Sequence, residues 1–210
     1  MKQIYFVRHG ESVGNVGPLR QEAHTPLNEK GTAQAEIMAR CCARLPIEVI
    51  FTSTYERAKT TATIINNVIS KPIIFTDDIT ELRQPSVVYG KPKDDPMVME
   101  VQEIFWSSFT DPNKKHSDEE KFIDVKTRVA NFFKLMSDRP EDHILVVTHG
   151  ALLRIAASYI AHGDNLTAQE CLDFCRHFHM DNTGLTIVGH DPKERFPWWI
   201  KTWNDHAHLG

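Results

Sequence analysis

Short, continuously apolar runs alternate along the chain with longer stretches in which apolar residues return every three or four positions. The runs QIYFV (3–7), EVIFT (48–52), IIFT (73–76) and HILVVT (143–148) have the length and β-branched content of strands buried on both faces. Residues 28–44 open with Asn28 and carry Ala33, Ile37 and Cys41 at spacings of four, and 55–69 carry Ala58, Ala62, Ile65 and Ile69 on one stripe. Both patterns predict helices, as do 118–137 and 150–162. Strands alternating with helices imply an α/β fold, a three-layer α/β/α sandwich around a mostly parallel central sheet. Near the end, GLTIVG (184–189) and PWWIKTW (197–203) flank a polar turn with Asp191 and Pro192, predicting antiparallel C-terminal pairing. The clustered Trp198, Trp199 and Trp203 read as packing on the sheet face. Two segments break the alternation, 10–27 with three glycines and two prolines, and 77–96 with Pro85, Gly90, Pro92 and Pro96. Loops of that length in a compact domain are usually functional.

A length of 210 residues suits one domain spanning 1–210, with a lid-like or specificity insert at 77–120. The formal net charge of −4 argues against nucleic-acid or membrane-surface partners. No apolar stretch approaches a membrane span, and the start MKQIYFVRHG reaches Arg8 too soon for a secretory signal, so a cytoplasmic address is expected. Of the four cysteines, Cys41 and Cys42 are adjacent, and Cys171 and Cys175 fall on one helix face. Neither pair reads as a disulfide framework or a zinc site. Eleven histidines invite a metal hypothesis, but His177/His179 and His206/His208 lack helical ligand spacing and read as surface or packing residues.

In open α/β sheets a ligand sits beyond the carboxyl ends of the strands, where loops and helix N-termini converge. Arg8 and His9 leave one apolar run there, His149 leaves another, and Arg57 follows a third by five residues. These four side chains are expected to share one rim. Arg57 falls in the first turn of a helix expected to be capped by Ser53 or Thr54, where the helix dipole disfavours a cation. A bound anion would explain it; pairing with Glu56 or reaching into solvent is the alternative.

With Arg8-His9-Gly10-Glu11-Ser12 and Asn15, then Leu27, Gly31, Gln34 and Ala35, then Ser53, Arg57, Ala58, Thr61 and Ala62, and finally His149-Gly150, the sequence resembles the histidine phosphatase superfamily. That group includes the cofactor-dependent phosphoglycerate mutases. The resemblance implies His9 as a nucleophile that carries phosphate covalently, with Arg8, Arg57 and His149 around the transferred group. It implies substrate contacts from Ser12, Asn15 and Gly150, and neither a metal ion nor a cofactor. By the family's pattern the proton donor is Glu81, with Asp77, Asp78 and Glu11 as rivals.

The sequence departs from the mutases after Glu81. It continues Leu82-Arg83-Gln84-Pro85-Ser86, has no adjacent arginine pair, and places Gly14 where the mutases carry a Trp. These differences favour a phosphomonoesterase acting on a small phosphorylated substrate. A mutase and a non-catalytic phosphate-binding regulator are the alternatives. Arg83, with Lys91 and Lys93, is expected to meet a second anionic group of the substrate, or else forms a solvated cluster. Oligomeric state is not legible; a homodimer is compatible with the chain.

Overall fold

A computed structural model describes residues 1–111, 113–114 and 117–210. Three residues of the expected insert, Pro112, Lys115 and His116, lie outside the described residues. In chain order the elements are β1 (Lys2–Arg8), the single turn α1 (Val13–Val16), α2 (Glu29–Cys42), β2 (Val49–Ser53), α3 (Glu56–Ile69) and β3 (Ile73–Thr76). They continue with α4 (Pro96–Phe109), α5 (Phe122–Asp138), β4 (His143–Thr148), α6 (Gly150–His162), α7 (Ala168–His177), β5 (Leu185–His190) and β6 (Trp198–Asp205).

The six strands form one sheet in the order β3-β2-β4-β1-β5-β6. β1 to β4 are mutually parallel where they pair, while β5 runs antiparallel to β1 and β6 antiparallel to β5. Alternation along the strands divides the core in two. Tyr5, Val7, Leu145 and Val147 face α2 and α3, packing on Met38, Ala58, Ala62 and Ile65. Ile4, Phe6, Ile144 and Val146 face the opposite way, onto Phe105, Phe132, Phe133 and Leu152 of α4, α5 and α6. This is the expected three-layer sandwich. The tryptophans pack as anticipated: Trp198 meets Phe133 edge-on, and Trp203 meets Phe174.

Local differences from the sequence reading have identifiable causes. α4 was hidden in a segment dense in prolines, yet its start is well marked, with Asp95 accepting from the Met97 N–H at 2.8 Å and Pro96 in the first turn. α5 begins at Phe122 rather than 118, and α7 is a further helix, opened by a Thr167–Glu170 capping box. The cap expected for α3 at Ser53 or Thr54 is a correction. β2 runs through Ser53, so Tyr55 becomes the cap and supplies no side-chain bond.

Because β1, β4 and β2 are neighbours, the residues leaving their carboxyl ends must be neighbours too. Registration is fixed by Arg8 opposite Thr148 and by the His9 N–H donating to the Thr148 carbonyl at 2.9 Å. The loop after β1 lies directly on the start of α2. A Cβ on Gly31 would fall 1.9 Å from the Glu11 carbonyl oxygen, and one on Gly10 would fall 2.3 Å from the Gly31 carbonyl oxygen. Backbone meets backbone here, so neither side can yield by rotating a side chain. Gly31→Ala is therefore expected to lower stability by about 1–3 kcal/mol in urea unfolding. An unchanged midpoint would contradict this account of the contact.

Candidate active site

His9 follows β1 directly and is buried at 2% exposure. Its Nδ1 lies 2.7 Å from the Gly10 carbonyl oxygen, which can only accept, so the proton sits on Nδ1. The Nε2 lone pair is then free to point outward, and it accepts from Arg57 Nε at 3.1 Å. Arg57, on the first turn of α3, also donates through Nη1 to the Glu22 carbonyl at 2.9 Å. The alternative pairing with Glu56 is not adopted; Glu56 bridges to Lys59 at 2.8 Å. Thr61 joins the two elements, accepting the Gly10 N–H at 3.0 Å and donating to the Arg57 carbonyl at 2.7 Å.

His149 occupies the N-cap of α6 and is fully buried. Its ring centroid is 5.2 Å from that of His9, and its Nε2 is 2.8 Å from Ser53 Oγ. When the serine hydroxyl donates, the ring proton resides on Nδ1, a buried atom with no partner. Arg8 has the same incompleteness: it donates through Nη1 to the Met180 carbonyl, while its buried Nε is unpaired. Gly150 backs this guanidinium, since a Cβ there would lie 3.2 Å from Arg8 Nε. Unsatisfied buried donors are rare, and these two, with Arg20 Nε unpaired on the wall of the adjoining cavity, suit an acceptor.

Burial, followed by the nearby Arg57 charge, holds the pKa of both imidazoles well below its ordinary value, so both are neutral. Burial also lowers both arginines, but a guanidinium remains charged. Glu81 provides the countercharge. Its carboxylate sits on the N-terminus of α6, accepting from the Leu152 N–H at 3.1 Å and the Ala151 N–H at 3.3 Å, and also from its own neighbour Leu82 at 3.0 Å. The loop carrying it is tied to β4 by the Thr148 hydroxyl, which donates to the Ile79 carbonyl at 2.6 Å.

A cavity of about 340 Å³ opens over this rim, lined by Arg57, Glu81 and Asn15 among others. Buried Ser12 caps α1, and Asn15 accepts from the Ser12 N–H at 2.9 Å. Glu11 instead faces Asn28 and Lys30, at 2.8 and 2.9 Å, and braces the loop. Asp77 and Asp78 bond to Thr54 and Thr76 respectively. Arg83 is not brought into the cavity. It is exposed, and its Nε donates to the Asp118 carbonyl at 3.1 Å, because the adjoining N–H is held by Glu120. Lys93 does line the cavity, with Nζ donating to the carbonyls of Gly14 and Gly17 at 3.0 and 2.7 Å.

Several contributors escaped the sequence reading. Tyr55 lies edge-on to His149 at 5.2 Å and under Arg57 at 5.2 Å. Arg20, Gln84, Tyr89 and Arg154 complete the wall. Asn182 donates from Nδ2 to the His9 carbonyl at 2.9 Å, and the Thr183 N–H donates to the Arg8 carbonyl at 3.0 Å. Thr183 holds φ at 57°, unusual for a β-branched residue and typical of strain stored beside a site. The Asp-Asn-Thr-Gly turn just before β5 was the available signal.

Among the described residues, no group of three or more His, Cys, Asp or Glu is arranged to hold a metal ion, and no helix is long and apolar enough to cross a membrane. The cysteines are free thiols.

A sequence profile of the histidine phosphatase superfamily (branch 1) matches residues 4–206. The chain is 26% identical over 212 residues to a Bacillus subtilis (strain 168) protein named uncharacterized phosphatase PhoE, covering 100% of this chain and 97% of that one. The solved structure of Bacillus stearothermophilus YhfR superposes with a TM-score of 0.83 at 25% identity, covering 100% of both chains. The alpha-ribazole phosphatase from Shigella flexneri shares the fold, with a TM-score of 0.79 at 21% identity over 97% of this chain and 96% of its own.

Two imidazoles kept neutral by burial have a consequence for stability. Below about pH 6.5 the unfolded chain takes up protons on these rings that the folded chain does not. Their contribution is thus complete above that pH and is lost as pH falls toward the depressed folded values, at about 1.4 kcal/mol per pH unit for each ring. Urea unfolding from about pH 7 to about pH 5 is expected to show this decline. His149→Asn should make it shallower by one ring's share; an unaltered slope would mean that the ring titrates freely in the folded protein.

Proposed function

The chain belongs to the histidine phosphatase superfamily, and we propose that it is a metal-independent phosphomonoesterase working through a phosphohistidine on His9. Phosphatase activity itself is supported by family membership and by full-length similarity to a protein named a phosphatase. The observation that carries the finer reading is the His9 Nε2 lone pair, fixed by the Nδ1–Gly10 bond and directed at Arg57, beside the unpaired donors of Arg8 and His149.

A phosphate ester bound at this rim replaces the missing acceptor. Its oxygens take donors from Arg8, Arg57 and His149, whose positive character matches the charge spread over the equatorial oxygens as the phosphoryl group transfers. Arg57 Nε turns from the imidazole to a phosphate oxygen, releasing the lone pair. The Nε2–P bond forms as the P–O ester bond breaks, and Glu81, a carboxylate in the free site that takes up the proton of a monoanionic ester as it binds, returns that proton to the departing oxygen. In the second half, water attacks phosphorus while the Glu81 carboxylate takes its proton. The N–P bond breaks, inorganic phosphate leaves, and His9 regains its lone pair. Guanidinium and imidazole groups supply the electrostatic stabilisation that many phosphatases obtain from a metal ion.

His9→Ala is expected to lower phosphate release from p-nitrophenyl phosphate by at least about a thousandfold, with EDTA leaving the natural protein's rate unchanged. Glu81→Gln should cost about 10²–10⁴-fold on alkyl esters and much less on p-nitrophenyl phosphate, whose leaving group needs no proton. Retained turnover in His9→Ala, or loss in EDTA restored by a divalent ion, would overturn the mechanism. Phosphate moved to another position of the substrate without release would identify a mutase. Vanadate binding with no turnover on any ester would identify a phosphate-binding regulator.

A further inference from the structure

A second cavity, of about 320 Å³, adjoins the first. The two share Leu82, Trp106, Ala151 and Arg154 as a common wall. Beyond that wall the second cavity is lined by Phe109, Ile155, Leu172 and Cys175, with Arg176 at its edge. Phe109, Ile155 and Leu172 are buried core side chains that nonetheless leave this space between α4, α6 and α7. Trp106 stands edge-on to Phe109 at 5.9 Å.

Several of the polar groups around this annex are engaged by the protein itself. Arg154 donates through Nε to the Gly150 carbonyl at 3.1 Å and through Nη1 to the Cys175 carbonyl at 2.9 Å, so it presents its apolar stem. Arg176 pairs with Asp173 at 3.6 Å. The Cys175 thiol is kept neutral by its hydrogen bond with Cys171 and by burial, both of which raise its pKa. Little remains to receive an anion or a hydroxyl-rich group.

Position connects the annex to the chemistry. The group that protonates the leaving oxygen must lie against it, and Glu81 is bounded by Leu82 in the chain and by the Ala151 N–H at its carboxylate. Both residues also line the annex. A leaving group whose oxygen meets Glu81 therefore starts at the annex mouth.

We propose that the annex receives the alcohol half of the substrate, so that the enzyme prefers phosphate esters of alcohols bearing an aromatic or comparably bulky apolar group. The proposal deepens the phosphatase reading and rests on it. Burying one ring away from water is sufficient for about a tenfold preference or more.

The test compares kcat/KM for 1-naphthylmethyl phosphate and glycerol 1-phosphate. Both release primary alkoxides, which removes much of the leaving-group advantage that an aryl ester would have. The natural protein is expected to favour the naphthylmethyl ester by at least about tenfold. Cys175→Phe, which fills the annex, should reduce that ratio by at least about fivefold, as should Leu172→Phe. Both esters are read on one preparation, so loss of folded protein cancels from the ratio. A ratio near one in the natural protein, or one unaltered by both variants, overturns the proposal. If neither ester is hydrolysed, the phosphatase reading fails, and calorimetry with 1-naphthylmethylphosphonate and methylphosphonate decides the annex separately. About tenfold tighter binding of the naphthyl compound supports it, and equal affinities overturn it.

Discussion

Two guanidinium groups crowded against two uncharged imidazoles, out of water, are the constraint around which this protein is organised. Like charges held together in a buried site repel, and buried donors without acceptors forfeit their hydration. The arrangement persists because the scaffold determines it. β1, β4 and β2 lie side by side and deliver Arg8, His9, His149 and Ser53 to one edge, and α3 starts with Arg57 immediately beyond. The backbone is then tied from several directions, by Thr61 to Gly10, by Asn182 to His9 and by Thr148 to the loop of Glu81. In the proposed reading a tetrahedral anion completes the unsatisfied donors.

Burial has two effects here that act in the same direction. It keeps His9 unprotonated, as the proposed nucleophile requires, and it would strengthen the interaction between the remaining cations and an incoming phosphoryl group. Glu81 is the opposing charge, held on the N-terminus of α6 beside the cations. The cavity over the strand ends and the apolar annex meet beside Glu81, at Leu82, Trp106, Ala151 and Arg154. In the proposed reading that junction separates the chemistry, assigned to the strand ends, from selectivity, assigned to α4, α6 and α7.

The strand ends were legible because runs of consecutive apolar residues in the middle of β1 and β4 stop abruptly before Arg8-His9-Gly10 and before Thr148-His149-Gly150. Gly31 became intelligible only with coordinates, since its need for a missing side chain comes from Glu11, twenty residues earlier. α4 was obscured because the proline-rich stretch before it suggested irregular chain, although Asp95-Pro96 is a helix start. Charge and a place in the insert beyond the rim point Arg83 toward the site. Its direction is decided by Asp118 and Glu120, more than thirty residues away, which draw it outward. Tyr55 and Asn182 could not be reached from spacing, because one sits where a capping hydroxyl was expected and the other enters from the far C-terminal segment. Periodicity reports what a segment buries, whereas the direction of a polar side chain depends on partners distant in sequence.

The central claim is that phosphate passes through His9 as a covalent intermediate, and trapping it is the most direct test. Protein mixed with a slowly turned-over phosphate ester, quenched in alkali within the first turnover and mapped by tandem mass spectrometry, should carry phosphate on His9 alone. That modification should be stable in base and lost in acid. Phosphate found on another residue, or first-turnover phosphate release with His9 never modified, would contradict the account.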